Sequence, residues 1–222
     1  KLIKNIDLII EILFILVFIL LSNINLSSFI SLYYYKRNIY NIGYRNAGTS
    51  NIFNLYGFKP ALIVGLFDFW VKGFIPFYFL NYLNVSNLIY SIFLISVVFF
   101  HMFSIYEKFR GGRGILISLG IICALGLWKE VIIVISFFKF FEYILWKNNA
   151  LSTFLGIITF IFLTPFNLEN VYVIISLELV FILLLFKRAL TNNIDLKSLL
   201  NLNLLISRIL YDRDLNDIPD LR

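Results

Sequence analysis

Two polar segments interrupt an otherwise apolar chain of 222 residues, and both carry residue types that can grip phosphate. The first reads Asn41-Ile42-Gly43-Tyr44-Arg45-Asn46-Ala47-Gly48-Thr49-Ser50-Asn51-Ile52-Phe53-Asn54-Leu55-Tyr56-Gly57. Small residues, hydroxyls and amides at this density let the backbone fold tightly and present N–H groups to an anion. The second runs from His101 to Gly114 and ends Arg110-Gly111-Gly112-Arg113-Gly114, leading straight into an apolar run. Glycines between two arginines at a helix start offer exposed amides, a helix N-terminus and two guanidiniums, the parts of a phosphate cradle. The spacing G-x-x-x-x-G-K-[ST] is missing, so nucleotide hydrolysis is not expected. Each segment also has a plainer reading: a polar loop at the water interface for the first, a basic cytoplasmic loop for the second.

A few ionisable residues lie inside apolar runs. Asp68 and Lys72 are four apart and share a helix face. Charges at membrane depth are costly and are paired or functional, so the two form either a structural pair or part of a site. Lys139 and Glu142 invite the same reading, and Glu178 has no evident partner. Gly120 and Ala124 permit close helix contact. His101 is the single histidine, which excludes a multi-histidine zinc site and leaves this residue either a structural hydrogen bond or a place in the site. Cys123 is the single cysteine and cannot form an internal disulfide or a thiolate cluster. No metal and no cofactor is expected.

The elements that must position these residues are set by composition. Apolar types make up 60% of the chain and charged types 14%, with 25 Phe, 13 Tyr and 3 Trp and a mean hydropathy of +0.88. A water-soluble body this small has too much surface to hide so much apolar side chain, so an all-α integral membrane protein is expected. Runs long enough for a roughly 30 Å hydrocarbon layer fall at about 6–21, 58–80, 86–106, 114–128, 130–146, 151–166 and 171–187. They predict about seven transmembrane helices. The fourth is short, and with the fifth it could instead be one broken element, so six helices with a re-entrant segment stay open. The net charge of +6 sits in loops between runs, which fits anionic lipid headgroups and not nucleic acid. Lys36, Arg37, Arg45, Lys59, Lys108, Arg110, Arg113, Lys147, Lys187 and Arg188 all fall on one side of a seven-span arrangement. That side is the cytoplasm, which puts the N-terminus outside and the C-terminus inside. Residues 1–190 are expected to form one polytopic membrane domain and 191–222 a polar cytoplasmic tail with a short surface helix. The 6–21 run is read as a span and not a secretory signal, because Asp7 and Glu11 spoil the basic-then-apolar pattern. The chain does not open on Met, which fits a start that is missing or removed.

In their order and spacing the two polar segments resemble the bacterial acyl-phosphate:glycerol-3-phosphate acyltransferases, the PlsY family. The first family motif reads roughly G-S-G-N-x-G-A-T-N-V-x-R-x-x-G. Gly43, Asn46, Gly48, Asn51 and Gly57 fall in register with it, with Thr49-Ser50 as a hydroxylated counterpart of Ala-Thr. The family's D-x-x-K-G looks like Asp68 to Lys72-Gly73 with one residue more between them. The second motif, G-H-x-x-P-x-F-x-x-F-K-G-G-K-G, resembles the run from His101 through Phe109, Gly111, Gly112 and Gly114, with Arg110 and Arg113 in place of lysines. Tyr44 and Arg45 stand at the family's serine and glycine, Asn54 at its arginine, and Phe100 and Ser104 at the glycine and proline of the second motif. The family's third motif, an aromatic and serines after the fifth span, resembles Leu145-Trp146-Lys147 and Ser152-Thr153; of its basic-then-Asn segment after the seventh span Arg188 and Asn192 or Asn193 remain, without the histidine.

The resemblance implies seven spans and cytoplasmic active-site loops in a multi-pass plasma-membrane protein. The implied reaction moves a fatty acyl group from acyl phosphate to the sn-1 hydroxyl of glycerol 3-phosphate, giving lysophosphatidate without metal or nucleotide. The implied partners are those two substrates and membrane lipid; no protein partner is indicated. Asn46, His101, Arg110 and Arg113 are the expected catalytic residues. Arg45, Gly48, Thr49, Ser50, Asn51, Lys72, Gly111, Gly112, Gly114, Arg188 and Asn192 are the expected substrate-binding residues. Two other readings stay open: a relative that keeps the fold and binds acyl or phosphate ligands without turnover, and a small transporter.

Overall fold

All regular elements among the described residues of the computed structural model, 2–83, 85–190 and 201–212, are helical, apart from one isolated antiparallel bridge between Ser104 and Arg110. Helix α1 spans Leu2–Ser22 and ends where two side chains compete for one carbonyl. Ser22 Oγ and Asn23 Nδ2 both donate to Ile19 O, at 2.6 and 2.9 Å. Helix α2, Leu26–Tyr33, resumes at 44° to it. Helix α3 is Thr49–Tyr56. Helix α4, Phe58–Leu66, a π-helical stretch Phe67–Phe74 and helix α5, Ile75–Tyr82, make one continuous rod of 25 residues. Then come α6 (Asn87–Met102), α7 (Ile115–Ala124), α8 (Trp128–Phe141, with a π turn Glu142–Trp146), α9 (Asn149–Asn167), α10 (Val171–Leu190) and α11 (Leu202–Tyr211).

By length and composition, two helices among the described residues suffice to cross a membrane, Phe58–Tyr82 and Asn149–Asn167, or three if the bent pair Ile10–Ser22 and Leu26–Tyr33 counts as one span. The run expected at 114–128 is shorter than its apolarity suggested. Helix α7 has ten residues, about 15 Å of rise against a hydrocarbon layer twice that. Nor do α7 and α8 form one broken rod interrupted at 129–130. The chain turns at 125–127, where Gly126 takes φ +89°, and Lys129 and Glu130 lie in the first turn of α8.

Helix α7 packs into the π-helical stretch through a glycine contact. A Cβ on Gly73 would lie 2.6 Å from Ile117 O, and one on Gly120 only 2.3 Å from Phe69 O, so Gly120 is the contact residue its sequence setting suggested. Helix α6 packs against α10 and α1, burying Leu94, Val97, Val98, Leu177, Phe181 and Leu184. Lipid tails are as apolar as these side chains, so such contacts in a bilayer rest on shape fit more than on expelling water. Ile133, Phe137, Phe162, Phe166 and Ile182 point outward, a surface suited to acyl chains. Glu178, without an evident partner in the sequence, accepts a 2.7 Å hydrogen bond from the buried Thr164 hydroxyl. A smaller cluster of Ile39, Tyr40, Ala47, Ile52, Ala61 and Val64 underlies the first polar segment. Helix α11 lies on α9 and α10, so this part of the expected tail belongs to the helical body.

Candidate active site

The first polar segment is held by one buried amide. Asn51 donates through Nδ2 to Asn46 O at 2.9 Å and to Ile42 O at 3.4 Å, and its Oδ1 accepts from Tyr44 N at 2.9 Å. Asn46 Oδ1 accepts from Gly48 N at 3.1 Å, closing a local turn just before α3. The second segment meets this loop directly: Ala47 N donates to Gly111 O at 3.3 Å. Close approach explains both glycines there. A Cβ on Gly111 would fall 2.2 Å from His101 O, and one on Gly112 2.2 Å from His101 Nε2.

Two consecutive left-handed residues, Lys108 (φ +55°) and Phe109 (φ +60°), reverse the chain before Arg110. Arg110 pairs back on Ser104 and lays its guanidinium 4.5 Å from the centre of the Tyr40 ring. Burial, assisted by Glu107 and opposed by Arg110 and the Ser28 hydroxyl, holds the Tyr40 phenol well above its ordinary range, so Arg110 stacks on a neutral ring.

Below the loops lies a buried ionic triad. Lys72 Nζ is 3.1 Å from Asp68 Oδ1 and 3.1 Å from His101 Nδ1, and it donates to Ile24 O at 2.7 Å. Asp68 Oδ1 is 3.9 Å from His101 Nδ1. With Lys72 charged, Nδ1 accepts and the imidazole proton sits on Nε2, the edge that faces Gly112. Asp68 and Lys72 both sit in the π-helical stretch, a geometry that recurs at functional positions.

Above the triad opens a cavity of about 580 Å³. Three helix starts face it: Gly48-Thr49-Ser50 of α3, Gly114-Ile115-Leu116 of α7 and Asn148-Asn149-Ala150 of α9. The last is capped by its own chain, because Asn148 Oδ1 accepts from Ala150 N and Leu151 N at 2.9 and 3.2 Å. The α3 and α7 starts have no side-chain cap, which leaves helix amides and the positive dipole ends open to an anion. Thr49 Oγ1 is buried with no hydrogen-bond partner.

Two buried guanidiniums complete the wall. Arg113 Nη1 donates to Lys187 O at 2.7 Å and its Nη2 pairs with Asp212. Arg188 Nη2 donates to Ala150 O at 2.9 Å and Leu210 O at 3.3 Å. Arg113 Nε and Arg188 Nε and Nη1 have no hydrogen-bond partner. Lys187, also buried, rests its ammonium 4.2 Å from the Phe103 ring centre. At the rim Lys139 bridges Glu142 (2.9 Å) and Asn149 (2.7 Å), with Lys147 beside it. Unpaired donors around a roomy, cation-rich space can bind and orient phosphate oxygens. Among the described residues, no group of three His, Cys, Asp or Glu could hold a metal ion.

Of the expected catalytic and substrate-binding residues, Asn46, Gly48, Thr49, Ser50, His101, Arg113, Gly114 and Arg188 line the cavity. Arg110 does not, because the left-handed pair before it turns its side chain onto Tyr40. Arg45 is exposed with φ +53°, and Lys72 is spent on the triad. Asn51, Gly111 and Gly112 build the wall without facing the cavity. Asn192 lies outside the described residues. Sequence reasoning passed over Asn148, Asn149, Ala150, Tyr211 and Asp212, all of which line the cavity. An Asn directly before an apolar run is a helix-cap signal that could have flagged Asn148; nothing local marks Asp212.

A family model described as glycerol-3-phosphate acyltransferase matches residues 12–198. A protein named glycerol-3-phosphate acyltransferase from Mycoplasma mobile is 31% identical over 156 residues, covering 65% of this chain and 62% of that protein. One of the same name from Phytoplasma australiense is 31% identical over 129 residues, covering 52% of this chain and 57% of its own. Another, from Lactococcus lactis subsp. lactis, is 28% identical over 177 residues, covering 74% and 81%. The chain thus spans about three fifths of the first two relatives. The crystal structure of PlsY (YgiH), an integral membrane glycerol 3-phosphate acyltransferase in its glycerol 3-phosphate form, superposes with a TM-score of 0.71 at 20% identity, over 80% of this chain and 88% of that one. At that identity the likeness is one of fold.

Proposed function

Since the chain belongs to the glycerol-3-phosphate acyltransferase family, we propose that its cavity transfers a fatty acyl group from acyl phosphate to the sn-1 hydroxyl of glycerol 3-phosphate. One observation carries the reading: two uncapped helix starts, at Thr49 and Ile115, converge with Arg113 and Arg188 on a single cavity. A mixed anhydride carries a good leaving group, so the protein's task is to position two anions and stabilise developing charge. The hydroxyl oxygen attacks the carbonyl carbon, the bond from that carbon to the phosphate oxygen breaks, and the hydroxyl proton passes to the departing phosphate. Amides of the α3 and α7 starts receive charge on the carbonyl oxygen and the leaving group, while Arg113 and Arg188 hold phosphate oxygens. Asn46, Thr49 and Ser50 orient the polyol. Arg110 and Asn51 are positioning residues, and the Asp68–Lys72–His101 triad holds the glycine wall that His101 touches.

The same reading makes the protein a multi-pass component of the plasma membrane with seven crossings, α1, α4–α5, α6, α7, α8, α9 and α10, the N-terminus outside and the C-terminus inside; the ten-residue α7 covers only part of the layer by itself and makes its crossing packed against the π-helical stretch. Arg113, Lys147 and Arg188 meet at one cavity, which supports a common cytoplasmic side for their loops. Acyl tails would leave the cavity along the apolar helices.

The test is direct turnover. Purified protein in detergent receives palmitoyl phosphate and labelled glycerol 3-phosphate, and lysophosphatidate is measured beside an active family member. Product formation that collapses in Arg113→Ala is the expected result. Binding of both substrates without product would instead favour a relative that has lost catalysis.

A further inference from the structure

The family match ends at residue 198, yet the cavity wall continues beyond it. Helix α11, Leu202–Tyr211, docks on the end of α10: Arg188 Nη2 donates to Leu210 O at 3.3 Å and Arg208 Nη1 to Ala189 O at 3.4 Å. Asp212 then takes a left-handed turn (φ +56°) with its amide bonded to Arg208 O at 2.9 Å. That turn sends the carboxylate into the cavity, where Oδ1 meets Arg113 Nη2. The other nitrogen at the tip of that guanidinium, Nη1, is already engaged by Lys187 O. A bidentate grip on a phosphate therefore needs the nitrogen Asp212 holds, and a carboxylate left there repels an arriving dianion.

We propose that Asp212 is a tethered competitor for substrate phosphate: it occupies Arg113 in the empty cavity, is displaced when a phosphate monoester binds, and sets the apparent affinity for that ligand. The proposal rests on the cavity being the phosphate site of the reaction above. Arg188 holds α11 through Nη2 and keeps Nε and Nη1 without partners. The helix can therefore stay docked while only the side chain beyond its end swings away. The Asp212 side chain is 22% exposed, against 8% for Arg113, so the carboxylate has a solvent route out.

The 222-residue chain in detergent, as wild type and as Asp212→Asn and Asp212→Ala, is titrated calorimetrically with inorganic phosphate and assayed for the KM of glycerol 3-phosphate. A competitor that occupies the seat most of the time lowers apparent affinity by its occupancy, so both variants should bind phosphate about three- to tenfold more tightly. KM should fall in parallel, with kcat not reduced. Equal or weaker phosphate binding in both variants overturns the proposal and makes Asp212 a brace for Arg113. If no version makes lysophosphatidate, the proposed reaction fails while the phosphate titration still decides the competition. Should both variants misfold, the wild-type chain serves instead: carbodiimide modification of the Asp212 carboxylate, read by peptide mass spectrometry, should speed up as phosphate displaces it from Arg113. A rate indifferent to phosphate overturns the proposal.

Discussion

Arg110 and Arg113, separated by two glycines, carry the same charge and face different things. Arg110 stacks on Tyr40; Arg113 is buried in the cavity wall, holding Lys187 O. Arg113→Ala should therefore lower kcat/KM for acyl transfer by about a hundredfold or more, the scale of losing a charge-assisted grip on the transition state. Arg110→Ala should cost only about two- to fivefold, the worth of a cation–π contact made by a half-buried guanidinium outside the cavity. Equal losses in the two variants would show that the cavity is not where the anions bind. Arg113→Lys should also stay well below wild type, because an ammonium cannot reproduce the planar fork that reaches Lys187 O and a ligand together. Asn51→Ala removes three hydrogen bonds from a buried loop, and such unpaired groups cost about 1–3 kcal/mol each. Its thermal midpoint should fall and its KM for glycerol 3-phosphate rise.

At the scale of elements, the α7 start is placed by a contact at the far side of the helix. Gly120→Ala puts a methyl against Phe69 O, so α7 must move away from the π-helical stretch. Overpacking of this kind costs about 1–3 kcal/mol, and thermal unfolding in detergent should drop by several degrees. Activity should fall with it, because Gly114 and Ile115 shift at the cavity. The triad offers a sharper test of how charge is held inside the helices. Lys72→Met leaves Asp68 without its cation and should destabilise by about 3–5 kcal/mol, as broken buried pairs do. Asp68→Asn added to Lys72→Met should recover much of that loss. Failure to recover would mean that Lys72 acts mainly through Ile24 O and His101 Nδ1.

For the whole molecule, single cysteines placed at Lys108 and Lys147 should react with an impermeant thiol reagent from one face of the membrane, and one at Glu169 from the other. Labelling of all three from a single face would break the seven-crossing arrangement. Membrane residence was readable from the order and kind of residues, because apolar excess summed over 222 positions survives any error in one boundary. So was the pairing of two phosphate-suited segments, which meet at Ala47 N and Gly111 O. Helix ends were less legible: the 114–128 run shrank to Ile115–Ala124 because apolarity measures what a segment can be buried in, not where its backbone turns. Which cation faces the cavity was beyond the sequence. Lys108 and Phe109 take left-handed backbone in a turn closed by Phe109 N donating to Ser104 O at 2.8 Å, and that turn separates Arg110 from Arg113. Asp212 joins Arg113 from the far end of the chain through the docking of α11. Composition and periodicity are properties of neighbours along the chain, whereas the direction of a guanidinium is decided by contacts between segments that only folding brings together.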